Sequence, residues 1–126
     1  IFVADDHGKA LKYAKSPDGP YGFYFRNIMT KLVGNGRPEL FRVRPDQPDE
    51  EVTLEQSLDT QVIAGDVDSV VDQILAFREE IGDFGTLLYT GHDWMDPPAD
   101  RRSMELMASA VMPRVNEALG EREAAE

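Results

Sequence analysis

Three residues able to do chemistry stand together at positions 92–94, where His92, Asp93 and Trp94 follow a strand-like apolar run at 84–89. In sheets whose strands are connected by helices, active sites collect at the carboxyl ends of the strands. His92 with Asp93 is a candidate acid–base pair, and Trp94 is a candidate wall for a planar ligand. The structural alternatives are a histidine in a surface turn and a tryptophan that closes the end of a barrel.

Other chemistry has little support in the sequence. The only histidines, His7 and His92, are far apart and accompany no regular carboxylate spacing, so no metal site is predicted. No serine sits on a recognisable nucleophile elbow. Gly65-Asp66 precedes a predicted helix, but the carboxylate of Asp66 would repel a phosphate, so we interpret Asp66 as a helix cap. No catalytic residue is assigned.

Composition limits the classes of partner. The 126 residues include 41% hydrophobic residues, which is enough for one domain with a core. A net charge of −11 argues against nucleic acid and anionic membranes as partners. There is no cysteine, and no apolar run approaches the roughly 20 residues of a membrane span. With no basic and apolar leader in view, we expect a cytoplasmic protein.

The first third of the chain predicts a strand and two helices. Residues 1–4 are strand-like, and Asp6 can cap a helix over 7–15. Residues 21–32 have apolar side chains at helical spacing, with four aromatic residues at positions 21–25. This aromatic stripe is interpreted as core, with a cofactor pocket as the alternative.

An irregular segment follows, and then a more regular second half. Residues 34–59 are rich in glycine, proline and acidic residues and are predicted to be lid-like, with a short helical turn at 55–59. Strands are predicted at 61–65 and 84–89, the latter covered on both faces, around a helix over 67–81 that Gly82 ends. Residues 96–100 lead into a final helix, and Pro113 should kink or split it.

Repeated strand–helix units predict a parallel sheet with right-handed crossovers. Three strands alone would leave two open edges, and the chain opens in mid-strand at Ile1. We therefore expect the C-terminal part of a longer protein. The predicted fold class is α/β, specifically about strands 6–8 and their helices of a (β/α)8 TIM barrel. An open three-stranded α/β layer is the alternative, and residues 1–126 are treated as one unit.

Several runs of sequence resemble one family, the bacterial-luciferase-like flavin monooxygenases. Residues 62–73, VIAGDVDSVVDQ, resemble a conserved segment of that family, and residues 1–5 with Lys9-Ala10 resemble its sixth strand and following helix. Residues 84–88 with 92–94 resemble the limonene-monooxygenase-like branch of this family. Residues 102–108 with 111–113 resemble the same branch. The resemblance covers nearly the whole chain and is most specific in its C-terminal half.

The resemblance implies a barrel enzyme that oxidises a small organic substrate with O2 and reduced FMN. The flavin would be supplied by a separate flavin reductase, and the protein would provide a dry pocket. Because the family's phosphate contacts come mainly from earlier strands, the 126-residue chain alone is expected to be inactive. A homo-oligomer is expected. The alternative is a non-catalytic acidic α/β module for oligomerisation or interaction.

The resemblance also implies particular site residues. Counting without gaps from Lys9-Ala10 places Tyr21 at a family tryptophan that packs near the flavin, so Tyr21 and Trp94 are predicted to contact the cofactor. Phe23, Phe25 and His92 are predicted to line the substrate pocket. The family's mobile active-site loop corresponds to residues 34–59, the segment that composition also marks as lid-like.

Overall fold

The computed structural model describes residues 1–90 and 95–123. Within this part the strands are β1 (Phe2–Val3) and β2 (Ala64–Gly65), which pair in parallel with Phe2 opposite Ala64 and Val3 opposite Gly65. The α-helices are α1 (His7–Ala14), α2 (Pro20–Gly34), α3 (Leu54–Gln61), α4 (Val67–Ile81), α5 (Pro97–Leu106) and α6 (Met112–Glu123). No helix in the described part is long and apolar enough to cross a membrane.

Local sequence signals set most of the helix ends. Asp6 accepts a hydrogen bond from the backbone N–H of Lys9, and Asp66 accepts one from Ser69, so both carboxylates cap their helices as predicted. Helix α4 ends at Gly82, whose φ of 87° lies in the left-handed region that glycine tolerates best. The predicted bounds of α4 are therefore confirmed, and α1 begins as predicted but ends at Ala14, one residue early.

The two strands carry hydrophobic clusters on opposite faces. Because successive strand residues point to opposite sides, Val3 and Phe2 lie in different clusters. The first cluster holds Val3 against α4 and the C-terminal helices, with buried Val70, Val71, Ile74, Leu106, Met107, Val111 and Val115. The second holds Phe2 against α1, α2 and α3, with buried Ala10, Ala14, Tyr21, Leu58, Val62 and Ala64.

Helix α5 covers one edge of β1. The backbone N–H groups of Phe2 and Ala4 donate to Ile63 and Gly65, toward β2, so the N–H of Val3 points the opposite way. It donates to the hydroxyl of Ser103, a fully buried side chain on α5, over 3.0 Å. This side chain satisfies a backbone donor that a neighbouring strand would otherwise bind.

The predicted strand at 84–89 is wrong for this chain. The structure assigns no strand there, and Leu88 is 78% exposed, so the segment is not covered on both faces. Leu87 and Tyr89 pack against the first cluster, which leaves an extended segment with one face buried. The segment has the composition of a strand, but among the described residues the sheet contains β1 and β2 alone, and a strand needs a neighbour to bond.

The last helical region is divided as predicted, although the break precedes the proline. A π-helical turn, Met107–Val111, separates α5 from α6, and Pro113 lies in the first turn of α6. Pro113 has no N–H to donate, and its ring crowds the carbonyl of Ser109, four residues earlier. Because Ser109 lies within the π turn, the irregular hydrogen bonding accommodates the proline.

The remaining differences concern lengths. The predicted strand at 61–65 is reduced to Ala64–Gly65, because α3 extends to Gln61. The predicted helical turn at 55–59 is part of α3. Between α2 and α3 the chain makes two short 3-10 turns, Pro38–Phe41 and Asp49–Glu51, in an otherwise irregular path.

Candidate ligand site at the carboxyl end of the sheet

A cavity of about 360 Å³ opens where β1 ends. It lies between the start of α1 and the first turns of α5, and its lining combines apolar and charged side chains. The lining residues are Phe2, Ala4, Asp5, Asp6, Lys9, Tyr13, Asp96, Ala99 and Arg102. Carboxyl ends of parallel strands are the usual place for ligands in α/β proteins, so this cavity is the candidate site.

Two aromatic rings form one wall of the cavity. The ring centroids of Phe2 and Tyr13 lie 4.7 Å apart at an interplanar angle of 44°. The hydroxyl of Tyr13 donates to the carboxylate of Asp100, with oxygen–oxygen distances of 3.2 and 3.3 Å. Burial, followed by the negative charge of Asp100, raises the pKa of Tyr13 to about 12. The phenol is therefore neutral at physiological pH and acts as a hydrogen-bond donor.

An ion pair fixes the rim. The guanidinium of Arg102 donates two hydrogen bonds to the carboxylate of Asp5, at 2.7 and 2.9 Å. These bonds hold the pKa of Asp5 below its ordinary value and raise the pKa of Arg102. Both side chains are largely exposed, so the pair adds little stability but sets the position of α5 against the end of β1.

The other acidic groups of the cavity are also engaged within the chain. Asp6 caps α1 by accepting from Lys9, and Asp96 caps α5 by accepting from the N–H of Ala99 at 3.1 Å. The carboxylates are thus used for helix capping and ion pairing. Besides these groups and Lys9, the lining is an apolar, aromatic wall, which suits a small molecule with a large apolar part.

The end of β2 lies beside this site and brings two helix N-termini together. Gly65 has a φ of 153°, and a Cβ placed there would stand 2.8 Å from the Ser69 hydroxyl and 3.0 Å from Nδ1 of His7. Nδ1 of His7 lies 3.8 Å from the carboxylate of Asp66. A larger residue at position 65 would therefore require the side chains of Ser69 and His7 to move. Across the described residues no group of three or more potential metal ligands occurs.

The predicted site residues lie in different environments. Tyr21 is buried, and its hydroxyl donates to the carbonyl oxygen of Ile1 over 2.6 Å. Phe25, one helical turn later, packs against the same cluster, whereas Phe23 lies on the opposite side of α2 and is 60% exposed. The structure thus brings Tyr21 and Phe25 together and separates Phe23 from them. His92 and Trp94 lie outside the described residues, so their roles stay predictions.

A second and larger cavity, of about 600 Å³, lies at the amino end of the sheet. Its lining includes Ile1 and Ile63 before the two strands, Phe77 on α4, and Leu87 and Leu88 of the extended segment. This lining is largely apolar, but the cavity lies away from the carboxyl ends of the strands, so we do not assign it as the site.

Sequence patterns did not identify the residues that shape the carboxyl-end cavity. Asp5 and Arg102 are separated by 97 positions, and Tyr13 and Asp100 by 87. No local spacing signal connects such pairs. The position of Asp5 directly after a predicted strand was the one indication in the sequence.

Comparison with known proteins identifies relatives of this chain. No family model matches it. It is 44% identical over 57 residues to 4-hydroxyprotoasukamycin monooxygenase of Streptomyces nodosus subsp. asukaensis, covering 45% of this chain and 15% of that protein. It is 28% identical over 121 residues to 3,6-diketocamphane 1,6-monooxygenase of Pseudomonas putida, covering 91% of this chain and 30% of that protein.

A solved structure matches as well. It is the oxygenating constituent of the 3,6-diketocamphane monooxygenase from the CAM plasmid of Pseudomonas putida, a type II Baeyer-Villiger monooxygenase in complex with FMN. The match has a TM-score of 0.74 at 28% identity and covers 90% of this chain and 32% of that one. The chain therefore spans about a third or less of the length of the relatives it matches.

Proposed function

We propose that this chain, which is homologous over 91% of its length to 3,6-diketocamphane 1,6-monooxygenase and resembles the luciferase-like flavin monooxygenases, is the C-terminal part of such an enzyme. The enzyme would oxidise a small organic substrate with O2 and reduced FMN supplied by a separate flavin reductase. The observation that carries this proposal is the match to an FMN-bound monooxygenase over 90% of the chain at a TM-score of 0.74.

We further propose that the chain supplies about strands 6–8 of a (β/α)8 barrel. β1 and β2 would be two of these strands, and the extended segment 84–90 would become the third when a neighbouring strand pairs with it. Its alternating burial supports this, because Leu87 and Tyr89 already face the core while Leu88 faces outward.

The residues around the carboxyl-end cavity fit a supporting role toward the flavin. When bound, reduced FMN would supply the electrons that activate O2. Phe2 and Tyr13 would form a wall that excludes water, and the neutral Tyr13 phenol, held by Asp100, would add no charge to it. The cavity is small for a whole flavin, and its rim carboxylates are engaged elsewhere. We therefore propose that the 126-residue chain alone is inactive and that other parts of the enzyme bind the flavin phosphate.

The individual site assignments are also proposals. Tyr21 and Trp94 would contact the flavin, and Phe23, Phe25 and His92 would line the substrate pocket. The exposure of Phe23 supports its availability to a ligand or to another part of a longer protein. For Tyr21, whose hydroxyl is bonded to Ile1, contact would be made through the ring rather than the hydroxyl.

The test compares the longer protein that contains this sequence with the 126-residue chain. We expect the longer protein to bind FMN and to consume O2 with NADH, an added flavin reductase and a panel of cyclic ketones. The 126-residue chain should bind FMN at least about tenfold more weakly and show no turnover. Trp94→Ala should weaken flavin binding in the longer protein, with Glu117→Ala, an exposed position on α6, as the control. Absence of flavin-dependent O2 consumption in the longer protein would contradict the proposal.

We also propose that the isolated chain self-associates, since several large apolar side chains are exposed. The most exposed are Leu88 (78%), Phe23 (60%), Met95 (60%), Val43 (55%) and Ile81 (55%). This is the observation that favours the non-catalytic alternative, an oligomerisation module, for the chain by itself. Light scattering of the purified chain measures its molecular mass in solution and so tests self-association. A well-folded monomer at high concentration would contradict it.

A further inference from the structure

The irregular segment between α2 and α3 contains a buried glutamine. Gln47 is only 2% exposed, whereas its neighbours Asp46 and Pro48 are exposed. A primary amide withdrawn from water without partners is destabilising, so a buried glutamine in a surface segment indicates a specific set of hydrogen bonds.

Both ends of the Gln47 amide are hydrogen-bonded. Oε1 accepts from the backbone N–H of Val43 over 2.8 Å. Nε2 donates to the carbonyl oxygen of Glu51 over 3.1 Å and to Oε1 of Gln56 over 2.8 Å. Because a backbone N–H can only donate and a carbonyl can only accept, these contacts admit one orientation of the amide. One side chain thus joins the turn that contains Val43, the second 3-10 turn and helix α3.

Ion pairs connect the same two stretches of chain. Arg42 donates to the carboxylate of Asp49, and Arg44 lies 3.1 Å from the carboxylate of Glu51 and 3.3 Å from that of Asp46. Exposed pairs of this kind contribute little individually. The ion pairs nevertheless join residues 42–44 to residues 49–51, the same two stretches that the hydrogen bonds of Gln47 hold together.

The segment is hydrogen-bonded at both of its boundaries. On the α2 side, the N–H groups of Asn35, Gly36 and Arg37 donate to carbonyl oxygens of the last turn of α2, and Gly36 adopts a φ of 74° there. At the other boundary Thr53 caps α3 by accepting from the N–H of Gln56 at 3.2 Å. The contacts therefore tie the segment to both flanking helices.

We infer that residues 38–56 form one preorganised unit and that Gln47 is the positioning residue that holds it together. Its role as a lid rests on the proposed function. A preorganised lid loses little further conformational entropy on closing, because its internal hydrogen bonds are already formed. This differs from a flexible loop that becomes ordered when a ligand binds.

Trypsin tests this inference at a single bond. Arg37 and Arg44 precede prolines, which block cleavage, and no lysine lies between residues 37 and 53. Arg42–Val43 is therefore the one cleavable bond of the segment, and its N–H is the group that Gln47 holds. We expect Gln47→Ala to accelerate cleavage at Arg42–Val43 at least tenfold in the 126-residue chain, as followed by mass spectrometry.

Two internal references separate local opening from global unfolding. Cleavage at Arg78–Glu79, within α4, should not change in the Gln47→Ala variant, and the exposed Glu50→Ala variant should behave like the wild type. If Gln47→Ala also accelerates cleavage in α4, the whole chain is destabilised and a milder variant is needed. Gln56→Ala is that variant, because it removes only one of the three hydrogen bonds of Gln47. Faster cleavage at Arg42–Val43 alone in that variant supports the inference, and no local change overturns it.

A substitution of nearly equal shape sharpens the test. Gln47→Glu can still accept from Val43 at neutral pH but can no longer donate to Glu51 and Gln56, so cleavage should be several-fold faster than in the wild type. Equal rates for the wild type, Gln47→Ala and Gln47→Glu, with α4 intact, would overturn the inference. No flavin is present in these measurements, so their failure is distinct from a failure of the proposed function.

Discussion

Two segments of this chain have the composition of a strand, and only one of them forms a strand. β1 is bonded to β2 on one edge and to Ser103 on the other, and the Asp5–Arg102 pair holds its carboxyl end. The segment 84–90 has one face on the core and no strand partner in the described part of the chain. Apolar, β-branched composition therefore favours an extended conformation, but the hydrogen-bonded neighbour determines whether a strand results.

The largest expected difference in the free energy of unfolding comes from placing a charge in β1 and, for comparison, in residues 84–90. Val3→Asp puts an unpaired carboxylate where the side chain is fully buried, and should cost about 4 kcal/mol or more in the free energy of unfolding. Leu88→Asp, at a position 78% exposed, should change it by no more than about 0.5 kcal/mol. Urea denaturation followed by circular dichroism measures both.

The same Leu88→Asp substitution in the longer protein sharpens the comparison. If the proposed barrel covers this segment, the substitution should destabilise the longer protein by several-fold more than it destabilises the 126-residue chain. An equal, small effect in both proteins would show that residues 84–90 stay exposed, and would count against the barrel proposal.

A smaller effect is expected where the two segments meet at Ser103. The hydroxyl of Tyr89 lies 3.0 Å from that of Ser103, which also accepts from Val3. Ser103→Ala leaves the buried N–H of Val3 without its acceptor and should cost about 1–3 kcal/mol. Tyr89→Phe leaves that bond in place and should cost only about 0.5–1.5 kcal/mol. A larger loss in Tyr89→Phe than in Ser103→Ala would show that the Val3 bond is the less important of the two.

The smallest effect concerns pH and the end of β1. The pKa of Asp5 is lowered in the folded chain by its hydrogen bonds from Arg102, so the pair stabilises the fold above the ordinary pKa of 3.8. That contribution is lost as the pH falls through the lower, folded value. The difference in urea midpoint between wild type and Asp5→Asn should therefore be present at pH 6 and should shrink progressively below about pH 4. A difference independent of pH would exclude the charge of Asp5 as its cause.

Signals contained within a few residues were sufficient to predict the helices. Asp6 and Asp66 each bond a backbone N–H three positions along, and Gly82 adopts a backbone conformation that its missing Cβ permits. Pro113 likewise acts on a carbonyl one turn away. The family resemblance was also readable in the sequence, because it depends on runs such as residues 62–73.

The candidate cavity could not be predicted, because it depends on pairs of residues far apart in the chain. Asp5 contacts Arg102, and Tyr13 contacts Asp100, only because α5 packs beside β1. Nothing in the local sequence indicates which arginine or carboxylate lies at the cavity. Gln47 is a similar case. Its setting among prolines and acidic residues indicated irregular structure, and only the folded segment shows the amide buried with three hydrogen bonds.

The sequence by itself determined the capped starts of α1 and α4, the end of α4 at Gly82, which residues are apolar enough to form a core, and which family the chain resembles. These depend on local backbone preferences and on side-chain hydrophobicity, which act over a few residues. The tertiary structure alone decided whether residues 84–90 form a strand, because ladder hydrogen bonds need a partner. It also decided which charged groups surround the carboxyl-end cavity and which polar side chain is buried, because these depend on distances between elements remote in sequence.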